Sequence, residues 1–332
     1  MSPRTFERPL DRTAMTLMMD RIMAGRCPPE ELSVFLTTLA QRGETAEEIA
    51  TAVEVLRRHA VPLPLSKPLE LCDTCGTGGD AQGTINVSTL AALVAAAAGV
   101  RVAKHGNRSA SSRCGSADLL EALGVRLDAS PAQVAHCIEA VGFGFCFAPA
   151  FHPAMKVVAP VRKALGIRTL FNLLGPLANP APLTFQVVGV ATPPLMAPMA
   201  EALQRLGIRH GMVVHGVDGL DEVTTTAETD VLEIRPGGIS ARRLNPEPFG
   251  LSRASLETLR GGDVSHNAQR ALAILRGEDS PQRDLVAFNA ACVLYVADRA
   301  RTIEEGLAVA GGALTSGRAL EVLERVKAIL KG

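Results

Sequence analysis

The chain has 332 residues, 47% of them apolar and 20% charged, with 34 basic side chains set against 34 acidic ones. That is an ordinary globular composition, long enough for one large domain and a smaller one. Zero net charge gives no global field for nucleic acid or a membrane surface, and with 3% aromatics and no Trp there is little to stack bases on.

The N-terminus, MSPRTFERPLDRTAM, has no apolar signal core, and the longest apolar run, Leu90 to Val100, is too short to span a bilayer. Seven cysteines, odd in number and scattered through apolar stretches, suit a reducing compartment, so a cytoplasmic location is expected. Residues 1 to about 65 read as helices. Met15, Leu17, Met18, Ile22 and Met23 recur at helical spacing and read as a packing face. A second helix is expected over Glu30 to Leu39 and a third over Thr45 to His59, where Thr45 and Glu48 make a capping-box pattern. VPLPLSKP, residues 61–68, then breaks all periodicity and sets a domain boundary.

From Leu69 short apolar runs alternate with helices. Strands are expected at Leu69–Cys72, Val100–Ala103, Phe143–Phe147, Phe185–Val190 and Gly211–Val214. A helix start is expected at Ser130, with Pro131 in the first turn and Gln133 three residues after the cap. The alternation implies an α/β fold: a small N-terminal helical domain, then a larger α/β domain with a mostly parallel sheet flanked by helices. In such sheets ligands bind beyond the carboxyl ends of the strands, so the informative residues are those after each strand.

After the first strand comes CDTCGTGGD, residues 72–80, and then Asn86, Ser88 and Thr89 at the start of an apolar helix. Glycines let backbone N–H groups cradle an anion, and a helix N-terminus adds more donors. A glycine turn with an ordinary cap is the plainer reading. A dinucleotide site fits poorly: the helix starts near Ser88, too late, and Val100-Arg101-Val102 stands where an acidic residue is needed. The C-x-x-C of Cys72 and Cys75 has no second Cys or His pair to complete a zinc site. After the second strand, KHGNRSASS (104–112) gathers two cations, an imidazole, an amide and hydroxyls, a set suited to phosphate; His105 is either a structural histidine or a ligand contact. After the third strand, Arg162 has the chemistry to hold a carboxylate through paired N–H bonds, or is simply solvated. After the fifth, adjacent Asp221 and Glu222 are either a magnesium pair or an acidic surface turn.

The ordered set GTGGD (76–80), NVST (86–89), KHGNRSASS (104–112), GSADLLEALGV (115–125), FAPAFHPAM (147–155), PVRKALGIRTLFNLLGPLANP (160–180) and VVHGVDGLDE (213–222) resembles the anthranilate phosphoribosyltransferase family over essentially the whole chain. The resemblance implies the nucleoside-phosphorylase-like phosphoribosyltransferase fold. Residues 1–68 would form the helical domain, 69–332 the α/β domain, and 151–180 would return to the helical side. It implies transfer of the phosphoribosyl group of phosphoribosyl pyrophosphate (PRPP) to the amine of anthranilate, in tryptophan biosynthesis, by a homodimer using two Mg²⁺ per subunit. By position, Gly76, Gly79, Asp80, Thr84, Asn86, Val87, Ser88 and Thr89 match PRPP contacts. So do Lys104, His105, Gly106, Asn107, Arg108, Ser109, Ala110, Ser111, Ser112 and Ser116. Ser88, Asp221 and Glu222 match metal positions, and Gly76, Asn107 and Arg162 match anthranilate contacts. No side chain is assigned as an indispensable general base, His105 being the candidate. Thr74-Cys75 depart from the aliphatic residues common before GTGGD. A pyrimidine nucleoside phosphorylase-like enzyme and a non-catalytic nucleic-acid-binding relative are the alternatives; the former needs no Asp221-Glu222 pair and the latter would show a basic face.

Overall fold

The computed structural model describes residues 6–80, 82–109 and 113–331. Ala110, Ser111 and Ser112, three of the expected contacts, therefore lie outside the described residues. Three helices open the chain: α1 (Arg12–Met23), α2 (Pro29–Arg42) and α3 (Ala46–Arg58). Asp11 caps α1 by accepting from Ala14 N, and Thr45 and Glu48 form the expected capping box on α3. Met15, Met18, Met19, Ile22 and Met23 are buried, but Leu17 is 55% exposed and does not belong to that face. Two residues on from Met15, it lies on the far side of a 3.6-residue turn.

The rest of the chain runs β1 (Leu71–Gly76), α4 (Val87–Ala97), β2 (Val102–Gly106), α5 (Ser116–Ala122), α6 (Pro131–Val141), β3 (Phe143–Phe147), α7 (Ala148–Phe151), α8 (Ala159–Leu165), α9 (Leu170–Leu177), β4 (Leu183–Gly189), α10 (Met196–Arg205), β5 (His210–Gly216), β6 (Thr229–Arg235) and β7 (Gly238–Leu244). It closes with α11 (Leu256–Leu259), α12 (Val264–Leu275), α13 (Pro281–Val296), α14 (Ile303–Thr315) and α15 (Arg318–Lys331). Ser130 caps α6 with Gln133 completing the box, as the sequence predicts.

The seven strands form one sheet in the order β3-β2-β1-β4-β5-β6-β7. β3 through β5 are parallel; β6 and β7 are antiparallel additions that sequence reasoning missed. Their signal was the two-residue Pro236-Gly237 link between Arg235 and its partner Gly238. The chain lays down β1, β2 and β3 outward, then returns through α7, α8 and α9 to place β4 on the other side of β1. β1 and β4 thus flank the point where strand order reverses, the usual seat of a ligand.

Side chains alternate across the sheet. Val187, Met212 and Val214 face a core shared with α4, α13, α14 and α15; Val188 and Val213 face one shared with α1, α2, α3, α9 and α10. Val158, Leu170, Phe171 and Leu174, from the returning segment, pack in that second core beside the N-terminal helices. The same alternation separates the C-x-x-C. Cys72 points into the first core and Cys75 packs against the second, so they cannot act as a pair. No helix among the described residues is long and apolar enough to cross a membrane.

Candidate active site

β1 and β2 both run further than the sequence suggests. Thr74–Gly76 belong to β1, and Lys104 and His105 are buried members of β2, paired with Phe145 and Cys146, rather than parts of an exposed loop. Their burial between two layers outweighs the polarity that marked them as loop. Gly76 and Gly189 are register partners at the ends of β1 and β4. A Cβ on Gly76 would lie 2.3 Å from Asp221 Oδ2, and one on Gly189 would lie 1.5 Å from Asp221 O. The two glycines therefore let the Asp221 segment settle directly on the sheet edge. Gly189 was not identified from sequence.

That segment is fixed from both sides. Asp218 receives Leu220 N (3.2 Å) and the hydroxyls of Thr224 (2.7 Å) and Thr226, while Asn289 receives Val223 N at 3.0 Å and donates to Val223 O at 2.7 Å. Asp221 Oδ2 accepts from Gly78 N at 2.7 Å, and Glu222 Oε1 accepts from Ser88 N at 3.2 Å. The glycine loop turns through positive φ at Gly78 (65°) and Gly79 (81°), which glycine permits. The two carboxylates thus take N–H donors that the loop and the start of α4 offer an anion.

Asp80 lies beside them, and its carboxyl hydrogen-bonds to Asp221. Burial, reinforced by Asp80, pushes Asp221 up to about 6; burial, reinforced by Asp221, pushes Glu222 well above the ordinary carboxylate range. Burial also raises Asp80. Among the described residues no three His, Cys, Asp or Glu side chains form a ready metal cage. Two carboxylates are nevertheless what magnesium commonly takes from a protein, the rest of its shell being water and substrate phosphate.

Lys104 Nζ is buried between Thr74 O (2.7 Å) and Ser88 Oγ (3.3 Å), linking β1, β2 and the start of α4. Asn86 precedes α4, which begins at Val87; its side chain donates to Cys114 O (2.9 Å) and accepts from Asn267 Nδ2 (3.2 Å). Val87 and Thr89 are buried, and Thr84 bridges to Arg260. In the second loop, Gly106 abuts Ser116 Oγ, and Asn107 O accepts from Ser116 Oγ and Ala117 N, both at 3.2 Å. Arg108, expected at a phosphate, pairs instead with Asp118 (2.9 Å) and Glu121 (2.8 Å). Asp118 also accepts from Ser109 N (3.0 Å) and Gly115 N (2.9 Å), which makes it the organiser of this loop and a residue the sequence reading missed.

Arg162 lies on α8, in the segment that returns between β3 and β4. Its guanidinium is 3.4 Å from Asn172 Oδ1 and 5.8 Å from the Phe171 ring centre, and has no carboxylate partner among the described residues. Burial lowers its pKa. His105 Nδ1 lies 3.2 Å from Gly175 O, and its Nε2 is buried with no hydrogen-bond partner among the described residues. Burial, aided by His152, lowers His105 to about 3, so its ring is neutral. His152 meets it edge to face at 5.2 Å. A second missed group lies behind them: buried Asp73 accepts from Asn179 Nδ2 (2.8 Å) and His105 N (3.3 Å) and is raised to about 6 by burial. Lys156, on the same returning segment, is exposed and outside the cluster.

Two family descriptions match: glycosyl transferase family, helical bundle domain, over residues 5–60, and glycosyl transferase family, a/b domain, over 69–320. The chain is 50% identical over 314 residues to an anthranilate phosphoribosyltransferase of Symbiobacterium thermophilum, covering 95% of this chain and 91% of the relative. A crystal structure of the Thermus thermophilus anthranilate phosphoribosyltransferase superposes with a TM-score of 0.93 at 50% identity, covering 98% of this chain and 97% of that one. The Saccharomyces cerevisiae enzyme, solved in complex with PRPP and Mg, aligns with a TM-score of 0.87 at 30% identity, over 96% of this chain and 92% of that one. The same enzyme in complex with 4-fluoroanthranilate gives 0.87 and 30%, over 97% and 94%.

Proposed function

The chain belongs to the glycosyl transferase family, among its anthranilate phosphoribosyltransferases, and on that premise we infer that it transfers the 5-phosphoribosyl group of PRPP to the amine of anthranilate. The products are N-(5-phosphoribosyl)anthranilate and pyrophosphate, and the step serves tryptophan biosynthesis. The observation that carries the reading is the assembly at one sheet edge of a glycine loop, a helix start and a buried carboxylate pair. Purified protein given both substrates is expected to yield both products; neither product would refute the assignment.

We assign PRPP to the loop Gly76–Asp80, to Thr84 and Asn86–Thr89, to Lys104–Ser112 and to Ser116. Substrate phosphates would free the N–H groups of Gly78 and Ser88 that Asp221 and Glu222 now hold. Arg108 has to exchange its carboxylate partners to join them. Asp221 and Glu222, with Ser88, would hold Mg²⁺, two ions per subunit; their raised, mutually repelling carboxyls fit a cation. Bound magnesium supplies positive charge that stabilises the departing pyrophosphate.

The chemistry asks little else of the chain. The aromatic amine is a weak nucleophile, so the C1–O bond to pyrophosphate breaks ahead of C1–N bond formation, and the amine proton leaves after attack. Lys104 stabilises negative charge, while Gly76, Asn107 and Arg162 orient anthranilate over C1. His105, neutral and weakly basic, serves as a hydrogen-bond acceptor and not as a proton store.

Arg162 is the proposed carboxylate ligand. A charge-assisted bond is worth about 1.5–3 kcal/mol, so Arg162→Ala is expected to raise the KM for anthranilate roughly 10- to 100-fold with little change for PRPP. Equal losses for both substrates in steady-state kinetics would contradict the assignment.

We further propose that residues 1–68 with 151–180 act as one helical unit beside the α/β unit 69–332. On this reading the protein is a cytoplasmic homodimer joined through the helical unit. Exposed Leu17, Val157 and Ile167 on or next to that unit support the dimer.

A further inference from the structure

A helix leaves its last four carbonyls without partners in its own backbone. In α9 the first of these, Leu174 O, accepts from Ala178 N at 2.8 Å. Each of the other three meets a side chain from a different part of the molecule. Gly175 O lies 3.2 Å from His105 Nδ1 on β2. Pro176 O accepts from Gln186 Nε2 on β4 at 2.6 Å and from Cys75 Sγ on β1 at 3.5 Å. Leu177 O accepts twice from Arg57 on α3, from Nη2 at 2.7 Å and Nε at 3.2 Å. The other end of α9 bears on the acceptor side. Asn172 Oδ1 accepts from Thr169 N at 3.0 Å and lies 3.4 Å from Arg162 Nη2.

Arg57 is the one donor of this set that comes from the N-terminal helices. It has no carboxylate partner among the described residues, and burial lowers its pKa to about 10. A cation taken partly out of water, hydrogen-bonded to a carbonyl and offset only by the charges of Glu54 and Asp73, is costly to keep, and a merely structural contact does not require a charge.

We propose that Arg57 is a positioning residue of the acceptor pocket: by holding Leu177 O it fixes α9, and through Asn172 at the far end of α9 it sets Arg162. The inference rests on the functional reading for its kinetic consequences only. The geometry makes α9 a strut between Leu177 O and Asn172, and Arg57 the fastening that sets its angle from the helical side.

The test combines kinetics, exchange and rescue on the full chain. Arg57→Met is expected to raise the KM for anthranilate about tenfold and leave the KM for PRPP within twofold. Arg57→Lys, which keeps a charged donor, should recover part of the loss. Combined with Arg162→Ala, Arg57→Met should add less than its single effect, because both act on one pocket. Hydrogen exchange reads the strut whatever reaction the protein performs: the amides of residues 173–175, 177 and 178 should lose protection in Arg57→Met. An unchanged anthranilate KM, equal rises for both substrates, or unchanged protection in a folded variant would overturn the proposal. Absence of turnover in the unmutated protein would refute the functional reading instead, and the exchange result would still decide the role of Arg57.

Discussion

Gly189→Ala is expected to lower kcat/KM by about 100-fold or more while circular dichroism remains that of the unmutated protein. The new Cβ would lie 1.5 Å from Asp221 O and 2.4 Å from Asp221 C, both backbone atoms. The segment has to retreat by more than an ångström. Neither side can absorb that by a rotamer change, because Gly189 is tied into β4 and Thr77 N donates to its carbonyl at 2.9 Å. Retreat pulls Asp221 and Glu222 off Gly78 and Ser88, and displacements of this size in positioning groups cost about 100-fold. Gly311→Ala is the control: it lies on α14 with open space where its Cβ would go, so activity should be unchanged. Wild-type kinetics in Gly189→Ala would show that the seating of Asp221 on the sheet edge is irrelevant to the reaction.

Asp221→Asn combined with Glu222→Gln is expected to remove magnesium activation and to lower the rate by at least about 1000-fold, the scale of several kcal/mol of charge stabilisation. The same variant should be as stable as the unmutated protein or more so. Each amide keeps an oxygen for Gly78 N or Ser88 N. The signs follow from the raised pKa of Asp221, about 6 in the fold against 3.8 as the ordinary value. Such a group supports the fold when protonated, and that support is lost as pH rises through about 6. Above that pH the free protein holds Asp221 as a buried negative charge, and a neutral amide in its place removes that charge. Thermal melts without magnesium at pH 7.5 and magnesium titrations of the rate check the two halves. Normal magnesium activation in the variant would contradict the metal assignment.

The fold class was legible because local patterns and burial agree. Runs such as Phe143–Phe147 and Phe185–Val190 are apolar enough to be central strands, and Ser130-Pro131-x-Gln133 states its own helix start. The ligand edge was legible because polar blocks follow those strands in order. Boundaries were less so: Lys104 and His105 looked like loop, yet pairing with β3 keeps them in the sheet. β6 and β7 were missed because an edge hairpin carries Arg235, Arg242 and Arg243 where a central strand would be apolar.

The supports of the site were the least legible. Asp73 and Asn179 meet across 106 positions of chain, and nothing local distinguishes either from a solvated side chain. Gly189 looks like any glycine ending a strand until Asp221 is placed against it. Asp118 reads as an ordinary acid in the first turn of α5, although three donors, from Arg108, Ser109 and Gly115, converge on its carboxylate. The pairing of Cys72 with Cys75 is a motif only in one dimension, since a spacing of three on a strand sends the side chains to opposite faces.

The most direct test of the central claim follows anthranilate fluorescence in a mixture of purified protein, PRPP and Mg²⁺, with each component omitted in turn. The account predicts loss of signal in the complete mixture and none when protein, PRPP or magnesium is left out. A steady signal in the complete mixture, from protein shown to be folded, would contradict it.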